Sequence, residues 1–529
     1  MPEYLSPGVY IQEVDSGPRP IEGVGTACAA FVGLAPSGAI NTPALITNWT
    51  QYVETFGSLD ESGRRNPHLP GAYLSHAVYG YFLNGGGRCY VTRVAPPVDK
   101  DAKAAAAGDG TLALPSRASK ARPSLTVRPK GGASQDIQVE VAPPTGEKPP
   151  EGDFTLRVRM GKVEETYENI SLADGSLRPA VQTVNDASRL IVLEVAPGGG
   201  PIAERTPDVG TYLVKSARPV AVLQVQASTF TGSVADRSGM EGLEVADDVT
   251  MVCCPDLMAA YESGAVDLDG VKAVQLAMIA HCERLGDRMA ILDAVPSMAP
   301  KENGPLSPQE VKRWREVVTN YDSKFAALYY PWIKVAGPDG RPLAVPPCGH
   351  IAGIYARNDN QRGVHKAPAN EVVTGALEAV TTITKGEQDT LNPIGVNCIR
   401  SFTGRGVRVW GARTLSSDPA WRYINVRRLF NYVEKSLERG LQWVVFEPND
   451  PDLWARVRRD VGAFLTGAWR EGMLFGLSPA EAFFVKCDAE LNPPDVRDRG
   501  QLFVDIGLAP VKPAEFVVFR FSQWAGGGA

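Results

Sequence analysis

The chain has 529 residues, of which 44% are hydrophobic and 22% charged, with a net charge of -6 at pH 7. This composition is typical of a folded globular protein of about two to four domains, which excludes a fibrous or disordered chain. The acidic balance excludes a nucleic-acid coat, because phosphate binding needs a basic surface. There is no run of about 18 apolar residues and no leader with basic and apolar regions, so we expect a protein made in the cytoplasm.

The first hundred residues predict an extended arm followed by the start of a folded unit. Within the arm, 1–20, a Pro7-Gly8 turn precedes a strand-like stretch at 9–14. Apolar residues recur at helical spacing in 74–82, and a Gly-Gly-Gly run then ends that helix. The other elements predicted in this part are strands at 28–33 and 88–94.

Composition changes abruptly after Pro97, where a stretch rich in Ala, Lys, Gly and Asp indicates a linker. Short strand patterns separated by Pro/Gly-rich turns follow, with almost no helical periodicity. We interpret 98–240 as an inserted all-β domain, a small sandwich or barrel. Its predicted strands are 125–128, 137–141, 154–160, 190–195 and 220–226.

The segment 241–385 alternates strand and helix, which predicts an α/β layer. Its clearest helix begins at Ser307, where an N-cap serine, Pro308 and Glu310 form a capping-box pattern. The predicted elements are strands at 249–254, 289–292 and 325–330, and helices at 271–285 and 308–321.

The last part alternates again, and three strand patterns close the chain. We separate a C-terminal domain, 386–510, from a terminal strand arm, 511–529. The fold class predicted for the whole chain is a multidomain mixture of α/β and α+β. The predicted elements here are strands at 407–412, 441–446, 482–487, 502–506 and 516–521, and helices at 427–439 and 453–469.

No motif with a known reaction mechanism is present, whether a phosphate-binding loop, a zinc-protease helix or a nucleophile elbow. The glycines at 85–87 lie between a helix and a strand, the wrong order for a phosphate loop, and those at 404 and 406 indicate a turn. His281 and the eight cysteines are interpreted as packed core residues, the cysteines reduced. We therefore expect no catalytic residue, metal ligand or cofactor.

Two features invite a functional hypothesis. The first is an apolar strand pattern at each end of the chain, because a terminal strand exposes unpaired backbone groups unless another strand pairs with it. Pairing inside the subunit and strand addition into a neighbouring subunit are both open. The residues concerned are Val9, Tyr10, Ile11 and Val14 at one end and Phe516, Val517, Val518, Phe519 and Phe521 at the other.

The second feature is a local group of arginines on an acidic protein. Arg456, Arg458 and Arg459 lie beside the apolar stripe of the helix predicted at 453–469. They form either a solvated helix face or a docking surface for an acidic partner. The apolar stripe consists of Leu453, Val457, Val461, Phe464, Leu465 and Ala468.

The chain resembles the contractile-tail sheath proteins of phages, bacteriocin tails and extracellular contractile injection systems. The similarity covers nearly half of the sequence, whereas 111–238 matches nothing recognisable. His365 stands where the family pattern has tryptophan, a small departure. The motifs are YLSPGVY at 4–10, RPI at 19–21, AAFVG at 29–33, GGGR at 85–88, AGIYAR at 352–357, KAPAN at 366–370, NPI at 392–394, VWGARTL at 409–415, YINVRR at 423–428 and GLAP at 507–510.

The resemblance implies that 21–97 and 386–510 form one inner domain around a rigid tube, with the insertions facing outward. It implies rings, hexameric in this family, that stack helically and contract to drive the tube into a target envelope. Terminal strands exchanged between subunits would act as hinges, and the three arginines would dock the tube. Implied partners are further copies of the chain, the tube protein, the baseplate and a cap or terminator, in a particle kept in the bacterial cytoplasm or released.

Two other functions remain open at this point. One is a sheath-like terminator or baseplate component of the same apparatus. The other is an enzyme that uses the α/β segment 249–370 to bind a nucleotide, although a phosphate loop is missing there.

Overall fold

The computed structural model describes residues 21–59, 63–95, 112–117, 123–129, 137–146, 150, 152–160, 163–173, 175–196, 205–214, 225–298, 305–338 and 340–520. The chain divides into two compact units. The large unit comprises Ala27–Gln361 and Pro368–Ile424. The C-terminal unit comprises the residues from Asn425 onward, together with Arg362–Ala367 and the residues up to Thr26.

The large unit alternates strands and helices along much of its length. A π-helical turn at Trp314–Thr319 extends one helix, and 3-10 turns lie at Glu241–Val245, Asn392–Ile394 and Pro419–Trp421. The strands are β1 (Cys28–Gly33), β2 (Ala44–Ile46), β3 (Ser58–Leu59), β4 (Arg65–Asn66), β5 (Arg88–Arg93), β6 (Leu112–Pro115), β7 (Pro123–Pro129), β8 (Ile137–Ala142), β9 (Asp153–Met160), β10 (Val163–Ser171), β11 (Ile191–Val195), β12 (Gly210–Val214), β13 (Met251–Cys253), β14 (Met289–Asp293), β15 (Ala326–Tyr330), β16 (Ile333–Ala336), β17 (Pro342–Val345), β18 (Glu371–Val372), β19 (Ala376–Ala379), β20 (Val396–Phe402) and β21 (Gly406–Val409). The helices are α1 (Trp49–Phe56), α2 (Leu74–Leu83), α3 (Ala180–Ala187), α4 (Ala227–Thr231), α5 (Asp256–Glu262), α6 (Leu268–Leu285), α7 (Pro308–Arg313), α8 (Cys348–Arg362) and α9 (Lys385–Leu391).

A nine-stranded sheet forms the centre of the large unit, in the order β18-β21-β20-β15-β14-β13-β1-β5-β2. Its inner strands run parallel, and antiparallel strands close both edges. Side chains alternate between two apolar clusters, so that Ala30 and Val32 lie in one, and Ala29 and Phe31 in the other. Helices cover both faces, as expected for a parallel sheet with apolar residues throughout its strands.

Residues 112–214 contribute two antiparallel sheets, β10-β9-β8-β12 and β11-β7-β6, which share one apolar core. Four of the five predicted strands of this part are confirmed, as β7, β8, β9 and β11, but helix α3 was not predicted. Val184 packs into the shared core. Polar Asn and Thr residues stand beside it, so this short helix has too few apolar residues to show a helical spacing in the sequence. Of the strand predicted at 220–226, residues 220–224 lie outside the described residues, and Val225 and Gln226 are in no strand.

The C-terminal unit contains two long helices that pack through a common apolar core. Ile21, at the start of the described chain, joins the same core. The elements are α10 (Ile424–Gly440), a 3-10 turn at Gln442–Val444, α11 (Pro451–Arg470), α12 (Pro479–Ala482), β22 (Phe483–Lys486), α13 (Pro494–Asp498) and β23 (Asp505–Leu508). None of the helices within the described residues is long and apolar enough to cross a membrane.

One strand prediction in the C-terminal unit is wrong, a second is displaced, and the terminal strand at 516–521 stays a prediction. Residues 441–446 form a 3-10 turn and a loop, because Trp443 and Val444 turn inward against the helical core instead of alternating along a strand. Residues 516–520 are in no strand within this chain, and Phe521 lies outside the described residues. The strand predicted at 502–506 begins later, as β23.

The fold class is confirmed as a mixed α/β chain with several sheets, and the domain boundaries stay a prediction. Strand pairing does join segments that the sequence analysis kept apart. β1, from the predicted 21–97 core part, lies directly beside β13, from the predicted α/β segment. The prediction that 21–97 forms a domain with 386–510 only, without the α/β segment, rested on the resemblance. The sequence does not indicate that β1 and β13, about 220 residues apart, lie side by side.

Candidate assembly surfaces

Helix α11 is fixed in the C-terminal unit by its first turn and its apolar stripe. The Asp450 side chain accepts a hydrogen bond from the Leu453 N–H at 2.8 Å, and Pro451 occupies the first helical position. The predicted stripe is confirmed, since Val457, Val461 and the rest of it are buried, apart from half-buried Phe464. The opposite side of the helix is therefore free to carry charged side chains.

The three arginines predicted to dock a partner do not form one surface. Arg456 and Arg459 are three residues apart, which puts them on one side of the helix, and their side chains are 43% and 57% exposed. Arg456 pairs with Glu447 at 3.1 Å and Arg459 with Asp460 at 3.0 Å. We call Arg456 and Arg459 the arginine pair.

Arg458 faces the interior of the unit instead. Its guanidinium donates a hydrogen bond to the carbonyl oxygen of buried Cys487, directly after β22. This contact ties α11 to the two-stranded sheet, which neither Arg456 nor Arg459 does. Sequence reasoning missed it, because nothing in the helix marks which carbonyl an arginine will reach.

The two-stranded sheet pairs β22 with β23 in antiparallel register, from Phe483 opposite Leu508 to Lys486 opposite Asp505. Within the described residues no third strand joins it. A two-stranded sheet is marginal alone, and its outer edges present backbone groups that another strand can pair with. The exposed rings of Phe484 and Phe503 lie on or near this sheet.

Beyond the sheet, the chain continues as a C-terminal segment, 511–520, that carries exposed apolar side chains. Phe516, Val517, Val518 and Phe519 are between 69% and 78% exposed. Four consecutive large apolar residues exposed to water are unusual for a monomer. At the other end of the chain, Val9, Tyr10, Ile11 and Val14 lie outside the described residues.

The loop between α10 and α11 holds a feature that the sequence did not predict. Phe446 is fully exposed and has a φ of 69°, in the left-handed region that an aromatic residue rarely adopts. Its neighbour Val445 is 65% exposed. The sequence pattern had instead suggested a strand here.

The residues considered for chemistry elsewhere have structural roles. Gly85 lies in the turn from α2 to β5 with a φ of 104°, and Gly404 and Gly406 form the turn from β20 to β21. The eight cysteines are free and buried, as predicted. His281 is buried, with Nε2 3.3 Å from Arg288 Nη1, and no group of metal ligands occurs in the described part of the chain.

The carboxyl edge of the central sheet, where α/β proteins often bind ligands, holds a cavity of about 270 Å³. Its polar groups already have partners. Tyr330 donates to the Leu306 carbonyl oxygen at 2.5 Å, and Glu262 accepts from Tyr73 at 2.5 Å. The cavity therefore offers little to orient a substrate.

Two buried carboxyl groups at this edge hold neighbouring segments together. Asp256 accepts backbone hydrogen bonds from Leu34 and Leu74, and Asp293 accepts one from Cys348 at 2.9 Å. Burial raises the pKa of Asp256 to about 6 and that of Asp293 to about 7, although these hydrogen bonds oppose the shift.

Residues 256–415 match the family model described as the phage tail sheath protein central domain, and residues 416–523 match the phage tail sheath C-terminal domain. The two matches adjoin and together cover just over half of the chain. The chain belongs to the phage tail sheath family. Because this is a family of structural proteins, the chain is a structural protein.

Similar curated proteins are tail sheath proteins of phages. That of Burkholderia phage BcepMu is 24% identical over 531 aligned positions, covering 97% of this chain and 95% of the phage protein. That of Vibrio phage KVP40 is 29% identical over 34% of this chain and 26% of the phage protein. That of Enterobacteria phage T4 is 26% identical over 35% and 28%. The chain thus spans about a quarter of the KVP40 and T4 proteins and nearly all of the BcepMu protein.

Solved structures with the same fold include two contractile sheaths. The sheath complex of the extracellular contractile injection system PVC, in its contracted state, matches with a TM-score of 0.55 and 22% identity over 99% of both chains. The helical sheath of the anti-feeding prophage, also contracted, matches with a TM-score of 0.54 and 23% identity over 98% of this chain and 99% of that one.

Proposed function

We propose that this chain is the structural subunit of a contractile sheath. It polymerises as a helical stack of rings around an inner tube, and contraction of the stack drives the tube into a target envelope. The family membership of the chain supports this function, and so does its likeness over nearly its whole length to two contracted sheaths. The likeness to a chain in the six-fold symmetrised anti-feeding prophage baseplate supports hexameric rings.

Neighbouring subunits are linked by strand exchange in this proposal. The segment with Phe516, Val517, Val518, Phe519 and Phe521 leaves its own subunit and pairs with an edge of the two-stranded sheet of a neighbour. The arm with Val9, Tyr10, Ile11 and Val14 does the same from the other end of the chain. The exposure of residues 516–519 supports this arrangement, and so does the absence of a third strand beside β22 and β23 in the described part of the chain.

Exchanged strands let the rings move without separating. Each added backbone hydrogen bond contributes about 0.5 to 1.5 kcal/mol, so a few of them hold two subunits while the other interfaces repack. Rotation and sliding of rigid units about these links then change the ring spacing. No catalytic step is needed, and we propose no enzymatic activity and no cofactor.

The tube is held by the arginine pair on α11 in this account, whereas Arg458 stabilises the unit from within. Surface ion pairs are each worth about 0 to 1 kcal/mol, weak enough to release the tube during contraction. The further partners are the baseplate and a cap or terminator, in a phage-tail-like particle that stays inside the bacterial cell or is released.

Electron microscopy of the purified chain, alone and with its tube protein, tests this function. A sheath subunit gives long striated cylinders of uniform width. Single closed rings would instead indicate a terminator or baseplate component, an alternative favoured by the likeness to the baseplate-associated chain. Dispersed monomers in both preparations would contradict any sheath function.

A further inference from the structure

The strained loop at Phe446 has no explanation within the subunit. The Glu447 N–H donates to the Val444 carbonyl oxygen at 3.1 Å, which closes a turn with Phe446 as its third residue. A positive φ at that position normally selects glycine or asparagine, because a side chain crowds the backbone there. Phe446 adopts this strained backbone conformation although its ring is fully exposed. Burial of the ring within the subunit therefore does not offset the strain.

Both sides of the turn are anchored, so the position of Phe446 is fixed. The Arg456 guanidinium lies 5.2 Å from the centre of the Trp443 ring and pairs with Glu447. On the other side, the Asn449 side chain donates to the Gln501 carbonyl oxygen at 2.8 Å and accepts from the Trp454 indole N–H at 2.8 Å. These contacts hold the loop, and with it the exposed aromatic ring of Phe446, in one position.

We propose that Phe446 is the apolar anchor of the tube-docking surface, inserting into a pocket on the tube protein. This inference rests on the proposed function, because the loop adjoins the arginine pair through Glu447 and Arg456. Strained backbone positions persist at binding sites, where the partner rather than the subunit gains from them. Val445, also exposed, widens the apolar contact.

The arrangement defines the chemistry of the partner. An aromatic anchor beside the Arg456–Glu447 ion pair matches an apolar pocket with a polar rim that carries both charges, since energetic hot spots combine a buried ring with a polar border. Because the loop is already ordered, binding costs little conformational entropy. We therefore expect the anchor to supply more of the tube affinity than the arginine pair.

The decisive variant is Phe446→Gly, which removes the ring and also relieves the backbone. Unfolding of the isolated variant should occur at an unchanged or higher midpoint, whereas a ring with a structural role would lower it. Cosedimentation with preformed tubes of the tube protein should show an affinity at least about tenfold weaker. Leu177→Gly is the matched control, since Leu177 is equally exposed but lies in the β-rich segment, and its affinity should be unchanged.

The outcomes separate this inference from the proposed function. Tube binding by the wild type, lost in Phe446→Gly but kept in Leu177→Gly, supports the anchor. Equal binding by the wild type and Phe446→Gly overturns the anchor and leaves the sheath function intact. A wild type that forms cylinders but does not bind tubes overturns the anchor as well. A wild type that neither forms cylinders nor binds tubes overturns the sheath function and, with it, the anchor.

Discussion

Replacement of Arg458 by alanine should loosen the C-terminal unit although the residue belongs to a group of apparently similar surface arginines. The guanidinium donates to the carbonyl oxygen of Cys487, a residue with no exposed surface. A hydrogen bond from a charged donor contributes about 1.5 to 3 kcal/mol, and half-burial of Arg458 reduces this to about 1 to 2 kcal/mol. Local opening of the unit should then increase about 5- to 30-fold.

Hydrogen exchange of peptides from α11 and β22 measures this opening directly. Arg459→Ala is the control, because Arg459 is the most exposed of the three arginines and an exposed ion pair contributes under about 1 kcal/mol. The reasoning fails if Arg458→Ala and Arg459→Ala change protection of these peptides equally, or if only Arg459→Ala does.

Three further predictions concern the arginine pair, the C-terminal segment and the buried carboxyl group of Asp293. Combined Arg456→Glu and Arg459→Glu should prevent sheath growth on the tube while tube-free assembly persists; growth to normal length in micrographs would refute tube docking by the pair. Val518→Pro should abolish cylinders, because proline cannot donate a backbone hydrogen bond to a neighbour's sheet, whereas Val518→Ala should assemble; cylinders from both would contradict strand exchange. For Asp293, the folded-state pKa of about 7 lies above the unfolded value near 3.8, so its contribution to stability falls as pH rises from about 4 to 7, by up to about 4 kcal/mol. The free energy of urea unfolding of the wild type should therefore fall relative to that of Asp293→Asn as pH rises from about 4 to 7, and a difference that stays constant with pH would be inconsistent with a raised pKa.

Helices and buried strands were the parts of the fold that the sequence predicted well, and for a physical reason. The apolar stripe of α11 repeats at the helical period because one side of the helix packs against a core, so the spacing itself carries the information. The Ser307-Pro308-Glu310 pattern likewise predicts a start that the structure confirms, with a capping box at α7. Such features depend on residues within a few positions of each other.

Features that depend on distant residues could not be predicted. The neighbours of β1 in the central sheet are β5 and β13, and the strand patterns alone say nothing about which strands pair. The run from Leu441 to Phe446 is apolar enough for a strand, yet Leu441, Trp443 and Val444 pack against the flanking helices, whereas its last two residues are exposed. Short apolar runs of this kind do not reveal their partners.

For the candidate surfaces too, the sequence predicted features that depend on neighbouring residues and missed those that depend on distant ones. The sequence drew attention to the apolar C-terminal residues, and their exposure in the structure fits an assembly surface without testing strand exchange. It could not separate Arg458 from Arg456 and Arg459, because the carbonyl that Arg458 contacts is 29 residues away. Nor could it reveal Phe446, since a positive φ at an aromatic residue leaves no mark in the sequence.

The central claim is that this chain forms a sheath that contracts, and cryo-electron microscopy of cylinders assembled on the tube protein tests it most directly. We expect two populations, a narrow cylinder with wide ring spacing around the tube and a wider cylinder with shorter spacing that has released it. A single width and spacing under all conditions, including after detachment of the tube, would contradict contraction and leave only a static structural role.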